Sequence, residues 1–194
     1  MKNHLPFNGE LYLVNDFYST NEARIIFDEL LQNIDWQQEK LFIYGRTVKV
    51  PRLMCWYGDK NTSYHYSGVD HQPNPWTKTL LSIKQKIESF YPYSFNSVMA
   101  NLYRNGSDSM GYHADDEKEL GKNPQIASLN FGEQRLIKFR HNKSKKVVDL
   151  LLSHGDLLIM AGEIQHYWKH EIPKTKKIKT ERINLTFRQT FGFS

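Results

Sequence analysis

In the stretch Arg182 to Gln189, the side chains alternate strictly between polar and apolar as far as Arg188. Successive side chains of a β-strand point to opposite faces, so this period of two predicts a strand with one apolar and one polar face. The apolar face carries Ile183, Leu185 and Phe187, and the polar face carries Arg182, Asn184, Thr186 and Arg188. Burying two unpaired arginines would be costly, whereas a guanidinium matches a carboxylate through two parallel hydrogen bonds. The polar face therefore favours a dicarboxylate ligand.

Strand patterns dominate the chain from Phe95 onward. Alternation around Val98 places Asn101 and Tyr103 on one face of a strand. Further strands are predicted at Ile126 to Phe131, Arg135 to Arg140, Val147 to Leu152 and Asp156 to Ala161. In the first half, the short apolar stretch Leu11 to Val14 predicts an edge strand.

Two helices are predicted before the run of strands. Ser19 and Glu22 have the spacing of a capping box, and the residues that follow at helical spacing are Ala23, Ile26, Phe27, Leu30 and Ile34. Pro75 is expected to open the second helix, whose buried face would carry Trp76, Leu80, Ile83, Ile87 and Phe90. Helices before strands favour a sandwich of sheets with helices along one outer face. The length of 194 residues fits a single domain.

A hairpin is predicted from Leu41 to Arg52, with Tyr44, Gly45 and Arg46 at its tip. Pro51 restricts its second strand to an edge or to an end. The following stretch, Met54 to Gly68, is rich in aromatic residues, and Tyr64 and Tyr66 share a face. Each feature has a purely structural alternative, an exposed hairpin and a pair of core aromatics.

His113 and Asp115 lie two residues apart, so in an extended segment an imidazole and a carboxylate point to the same face. Two histidines and one carboxylate form the ligand set of non-heme Fe(II) oxygenases, which keep open positions on the metal. The histidines available as the third ligand are His141, His154, His166 and His170. Their spacing does not decide among them.

The composition favours an intracellular protein with a polyanionic partner. The net charge is +5, and lysines cluster in His141 to Lys146 and in Lys174 to Lys179, where they contact phosphates or form solvated turns. Cys55 is the single cysteine, which fits a reducing compartment. No run of eighteen apolar residues or apolar leader is present. We expect a monomer without membrane association, cytoplasmic in a bacterium or nuclear in a eukaryote.

Ordered motifs from about Leu41 to Phe191 resemble the AlkB family of 2-oxoglutarate- and Fe(II)-dependent nucleic-acid dealkylases. They include V-P-R at residue 50, N-x-Y at 101, H-x-D-D-E at 113, S-L-N-F-G at 128 and R-x-N-L-T-F-R at 182. The match is strongest to the branch that repairs alkylated duplex DNA. The family pattern W-x-H-x-[IL]-P falls on Trp168 to Pro173 and identifies His170 as the third ligand.

The resemblance implies a mostly β fold with flanking helices, a double-stranded β-helix or jelly roll, formed by one dioxygenase domain over residues 1–194. Residues 1–95 would supply the helices and the nucleotide-recognition hairpins, and residues 96–194 the catalytic barrel. The implied cofactors are Fe(II), 2-oxoglutarate and O2. The residues implied for 2-oxoglutarate are Asn101, Tyr103, Arg182, Asn184, Thr186 and Arg188, and those expected at the nucleotide are Tyr44, Arg46, Arg52, Tyr64, Tyr66, Asp116 and Glu117.

The implied reaction is oxidative demethylation of nucleobases in alkylated DNA, of the 1-methyladenine and 3-methylcytosine type. It yields formaldehyde, succinate and CO2 and would make the protein a direct-reversal DNA repair enzyme. A flipped base would stack between Tyr66 and His113, and an acid, best matched by Asp116, would face its exocyclic amine. Two alternatives remain: a related oxygenase acting on RNA, a protein or a small molecule, and a binding module without metal, which the intact triad and both arginines disfavour.

Overall fold

The computed structural model describes residues 1–43, 45–60, 62, 64–66, 69–177 and 179–191, and for residues 41, 43, 64–66 and 69–71 it describes the backbone alone. The strands are β1 (Glu10–Val14), β2 (Lys40–Ile43), β3 (Arg46–Lys49), β4 (Leu53–Gly58), β5 (Tyr64–Tyr66), β6 (Val69–His71), β7 (Ser97–Tyr103), β8 (Met110–His113), β9 (Ile126–Gly132), β10 (Arg135–His141), β11 (Val147–Leu152), β12 (Leu157–Ala161), β13 (Trp168–Ile172) and β14 (Arg182–Arg188). The α-helices of the described residues are α1 (Thr20–Asn33), α2 (Lys78–Phe90) and the single turn α3 (Ile164–Tyr167).

Two antiparallel sheets form the body of the protein. The larger has six strands in the order β1-β12-β9-β14-β7-β4, and the smaller has four in the order β11-β10-β13-β8. A shared core joins their inner faces, with Tyr103 and Met160 from the larger sheet beside Phe139 and Trp168 from the smaller one. Facing antiparallel sheets of this kind are a jelly roll. The predicted fold class is therefore confirmed.

Strand β14 is central to the larger sheet and has the predicted two faces. It pairs with β7 along its whole length and with β9 as far as Phe187. Its apolar residues Ile183, Leu185 and Phe187 are fully buried against the helices. Its polar residues consequently point into the space between the sheets. This arrangement agrees with the prediction from the sequence that the two arginines of this strand face an interior site.

The first helix has the predicted start. The Ser19 side chain accepts a hydrogen bond from the backbone N–H of Glu22, and the Glu22 carboxylate accepts one from the backbone of Ser19, so both halves of the capping box are present. Ala23, Phe27 and Leu30 pack on the outer face of the larger sheet.

The second helix differs from the prediction at both ends. It begins at Lys78 rather than Pro75, because the Thr77 side chain accepts a hydrogen bond from the N–H of Leu80 and caps it. Trp76 lies before the helix, where its indole N–H donates to Asp59. Phe90 is 45% exposed, so the buried face of α2 does not extend to the last turn.

The strands of the first half of the chain include the predicted hairpin and the predicted edge strand. β2 and β3 form the predicted hairpin, with Gly45 at a φ of 75° that suits glycine, while Tyr44 lies outside the described residues. β1 is the predicted edge strand. β4 and β1 come from the part of the chain before residue 96 yet pair into the larger sheet. None of the helices in the described part of the chain has the length and apolarity needed to cross a bilayer.

Candidate metal and 2-oxoglutarate site

A cavity of about 370 Å³ opens between the two sheets. It is lined by polar residues of β7, β9 and β14, by residues of β8 and β13, and by the segment around Glu39. Its apolar wall includes four of the five methionines of the chain: Met54, Met99, Met110 and Met160. Methionine is flexible and polarisable, so this wall adapts to the shape of a ligand.

The predicted ligands His113, Asp115 and His170 converge in this cavity. One ligand atom from each lies within 4.8 Å of the others. His113 on β8 and His170 on β13 are directly opposite each other in an antiparallel pair, which explains why residues 57 positions apart in sequence meet here. The other three histidine candidates have other partners. His141 accepts from the N–H of Ser144, His154 accepts from that of Gly132, and Nε2 of His166 lies 2.9 Å from Oδ1 of Asn123.

His113 is oriented by its own strand. Its Nδ1 lies 2.9 Å from the backbone carbonyl oxygen of Gly111. A carbonyl only accepts hydrogen bonds, so Nδ1 must carry the proton and donate. The lone pair of the neutral ring is then on Nε2. Metal-ligating histidines have this arrangement when their second ring nitrogen donates a hydrogen bond to a backbone carbonyl oxygen.

The charges of the triad suit a divalent metal. Burial acts to raise the pKa of Asp115, but the Arg188 guanidinium, with smaller effects from His170 and His113, outweighs it and lowers the pKa overall. Arg188 donates a hydrogen bond from Nη2 to Oδ1 of this carboxylate. Burial, reinforced by His113, lowers the pKa of His170 to about 3. An ionised carboxylate and a neutral imidazole are the forms that bind metal.

Arg182 presents unpaired donors to the same cavity. Its side chain is 1% exposed, and Nη2 donates to Oδ1 of Asn130, but Nε and Nη1 have no hydrogen-bond acceptor among the described residues. Burial lowers its pKa to about 10, so the guanidinium stays charged at neutral pH. A buried cation with two free donors is costly unless a ligand satisfies it. The fork geometry and charge fit a carboxylate, such as the distal end of 2-oxoglutarate.

The other residues predicted for 2-oxoglutarate surround the two arginines. Asn101 accepts a hydrogen bond from Nε of Arg52 at 2.8 Å, and the ring of Tyr103 lies 5.0 Å from the Arg182 guanidinium. Thr186 donates to Oδ1 of Asn184 at 3.0 Å. All six predicted residues line the cavity: Asn101, Tyr103, Arg182, Asn184, Thr186 and Arg188.

The residues predicted to contact the nucleotide are more dispersed. Arg52 is 6% exposed and lies in the cavity wall with Asn101, and Glu117 also lines the cavity. Asp116 is exposed beside the triad, and Arg46 is exposed on the β2–β3 hairpin. Tyr44 and the side chains of Tyr64 and Tyr66 lie outside the described residues. The roles of all seven stay predictions.

Three polar residues without a predicted role contribute to the cavity or its support. Ser128 and Asn130 are two apart on β9, and they contact Asn184 and Arg182 respectively. Their period-two spacing within S-L-N-F-G is a usable signal, because it puts both on one face of β9, the same face of the sheet as the polar residues of β14. Arg135 is buried and donates to the backbone carbonyls of Asn105, Asp108 and Pro173. No local pattern marked it.

Comparisons with known proteins agree with this geometry. The family model described as the 2OG-Fe(II) oxygenase superfamily matches residues 10–188. The bovine alpha-ketoglutarate-dependent dioxygenase alkB homolog 3 is 40% identical over 185 residues, which cover 90% of this chain and 64% of the bovine protein. The mouse DNA oxidative demethylase ALKBH2 is 36% identical over 197 residues, covering 96% of this chain and 82% of the mouse protein. The chain thus spans slightly less than two thirds of the bovine relative.

A solved structure, that of OsALKBH1, superposes with a TM-score of 0.62 at 20% identity, over 92% of this chain and 97% of that one. At this identity the likeness concerns the fold alone. The two named relatives have similar identities to the chain, so the comparisons do not place it in one branch of the AlkB family rather than another. Fe(II), 2-oxoglutarate and O2 are the metal and cosubstrates of the matched superfamily, as predicted. The chain belongs to the 2OG-Fe(II) oxygenase superfamily and, within it, to the AlkB family.

Proposed function

We propose that this protein demethylates N-alkylated nucleobases in DNA, using Fe(II), 2-oxoglutarate and O2. The observation that carries the proposal is one cavity that contains both the His113, Asp115 and His170 cluster and the unsatisfied donors of Arg182. A metal site and a carboxylate site in one cavity match the needs of an oxygenase that couples decarboxylation of 2-oxoglutarate to oxidation of a substrate.

Each end of the cosubstrate has its own residues in this proposal. Arg182, deep in the cavity beside Asn130 and Tyr103, binds the distal carboxylate. Arg188 hydrogen-bonds to Asp115, so it serves the end nearest the metal. When bound, the metal and its cosubstrates supply the oxidation of the N-methyl carbon, which leaves as formaldehyde. The protein's contribution is to hold these groups and the base in register and to exclude water.

The substrate class is proposed from the names of the relatives and from the charge of the chain. The mouse relative is named a DNA oxidative demethylase. The turn at residues 141–146 presents Lys143, Lys145 and Lys146 to solvent, and cationic turns of this kind contact phosphates without reading sequence. Pairing-face nitrogens are inaccessible in a duplex, so the enzyme must flip the base out of the stack.

In this proposal, the flipped base is recognised by side chains of the cavity and of its surroundings. Tyr66 and His113 stack on its two faces, while Asp116 contacts the exocyclic amine. Glu117, Arg52 and Tyr64 line its route into the cavity, and Tyr44 and Arg46 on the hairpin engage the duplex beside it. Two features support these assignments: the hairpin is present, and Arg52 and Glu117 lie in the cavity wall.

We further propose that residues 1–194 act as a single catalytic domain that is monomeric and not associated with membranes. The pairing of β1 and β4 with the catalytic strands supports one domain. The lone cysteine, Cys55, is consistent with a reducing compartment, the cytoplasm of a bacterium or the nucleus of a eukaryote.

One assay tests the function directly. Formaldehyde release is measured from single-stranded DNA, duplex DNA and RNA of one sequence, each with a single 1-methyladenine or 3-methylcytosine, at 50 and 200 mM salt. DNA repair predicts release from methylated DNA that falls steeply as salt rises, because phosphate contacts release counterions. Release from RNA alone, or only from a free nucleoside with no salt dependence, would favour the alternative oxygenase functions.

A further inference from the structure

Asp115 has an unusual position relative to the strands that hold the other two ligands. β8 ends at His113, so the backbone of Asp115 lies beyond the β8–β13 ladder that fixes the two histidines. The position of a side-chain ligand depends on the position of the backbone that carries it. Some other contact must therefore fix this part of the chain.

That contact is made by Gln165. The backbone N–H of Asp115 donates to Oε1 of Gln165 at 3.0 Å, and Gln165 is 2% exposed. An N–H can only donate, so the oxygen of the side-chain amide must face Asp115. The amide nitrogen of Gln165 then points the other way, toward the sulfur of Met160 at 3.7 Å.

The location of Gln165 in the chain gives this hydrogen bond its significance. Gln165 belongs to α3, the single turn that leads directly into β13 and His170. The β8–β13 ladder ties His113 to His170, and the Gln165 amide ties the Asp115 backbone to the element that leads into the same strand. The positions of all three proposed ligands are thereby fixed relative to one segment, residues 164–172.

We propose that Gln165 is a positioning residue for the metal carboxylate, acting through the backbone of Asp115 rather than as a ligand. The inference rests on the metal site proposed above. Loss of the acceptor leaves a buried N–H unsatisfied, and the strain is relieved by movement of the turn that carries the carboxylate. Residues that orient metal ligands typically change metal affinity by about 10- to 100-fold when replaced.

Three variants of the full chain separate this role from a general effect on folding. Gln165→Met keeps the length of the side chain and removes the amide oxygen, whereas Gln165→Glu retains an acceptor. Asn142→Ala is the matched control, because Asn142 donates to the backbone carbonyl of His166 in α3 from the solvent side. The measurement is the affinity of the metal-free protein for Ni²⁺, which binds imidazole and carboxylate sites tightly.

The expected result is a Ni²⁺ affinity about tenfold weaker in Gln165→Met. Gln165→Glu should recover most of the loss, and Asn142→Ala should match the wild-type protein. Gln165→Met is then repeated in an Asp115→Ala background, where the carboxylate is absent. A residue that acts through Asp115 should have an effect there of no more than about twofold.

The outcomes are distinguishable. An equal loss in both backgrounds, or no loss in the wild-type background, would overturn the role of Gln165 while leaving the metal site intact. Asp115→Ala with unchanged Ni²⁺ affinity would overturn the metal site itself, and this inference with it. If Gln165→Met does not fold, as judged by its thermal unfolding, Gln165→Asn takes its place in the cycle, since it keeps an amide but shortens its reach.

Discussion

His113 and His170 lie directly opposite each other on β8 and β13, with ring centroids 4.2 Å apart, and the register of the two strands shifts immediately beyond them. The next pair is Met110 with Ile172, so β8 has one residue more than β13 over this interval. An extra residue of this kind bends a strand and re-aims its side chains, which is common beside active sites. The placement of the two histidines is thus set by strand pairing and by the irregularity next to it.

Asp115→Ala is predicted to abolish turnover. The change removes the only carboxylate of the triad and deprives Arg188 of its hydrogen-bond acceptor at Oδ1. Formaldehyde release should fall by more than about a hundredfold, since even the outer partners of ligands cost about 10- to 100-fold. A circular dichroism spectrum like that of the wild-type protein is the control for folding. Full activity in this variant would show that the metal is held elsewhere.

The prediction of His170 illustrates what the sequence could and could not establish. Spacing alone leaves four histidines as candidates for the third ligand. The antiparallel pairing that brings His170 opposite His113 connects residues that are distant in sequence. The alternation of apolar and polar residues does not predict β8 or β13 as a strand. Both are short, and neither has a long alternating pattern. The motif of the family, rather than periodicity, predicts His170 as the third ligand.

By contrast, the interior site on β14 followed from the sequence alone. The strand alternates at every position, and both its faces are buried, one under helices and one in the cavity. Its two arginines therefore indicate a carboxylate site from the sequence alone. The end of α2 was less predictable, since the exposure of Phe90 depends on where the helix stops relative to the sheet.

Arg182→Lys is predicted to raise the KM for 2-oxoglutarate several-fold or more. Lysine keeps the positive charge but loses the planar fork that donates two parallel hydrogen bonds. Arg182→Met, which also removes the charge, should raise the KM by roughly 10- to 100-fold, the value of one hydrogen bond to a charged group. Steady-state kinetics with varied 2-oxoglutarate check both values. An unchanged KM in the two variants would mean that the cosubstrate binds outside this part of the cavity.

Tyr66→Ala is predicted to weaken productive binding of the methylated base by about tenfold or more. Stacking of an aromatic side chain on a base contributes roughly 1 to 3 kcal/mol. The measured quantity is kcat/KM for a methylated oligonucleotide. Succinate formation without nucleic acid should persist at the wild-type rate, because the proposed role of Tyr66 concerns the base alone. If that uncoupled reaction were lost as well, Tyr66 would belong to the cosubstrate site or to the core.

Tyr44→Ala is predicted to reduce repair of a methylated duplex far more than repair of the same lesion in a single strand. A flipped nucleotide leaves a gap in the duplex, and an inserted aromatic side chain prevents the stack from closing, whereas a single strand has no gap to fill. Thr47→Ala is the matched control, because Thr47 is exposed on β3 of the same hairpin. Formaldehyde release from both substrates should show a selective loss in Tyr44→Ala and no change in Thr47→Ala. Equal losses on both substrates, or none on either, would mean that the hairpin is only an edge of the fold and does not recognise the duplex.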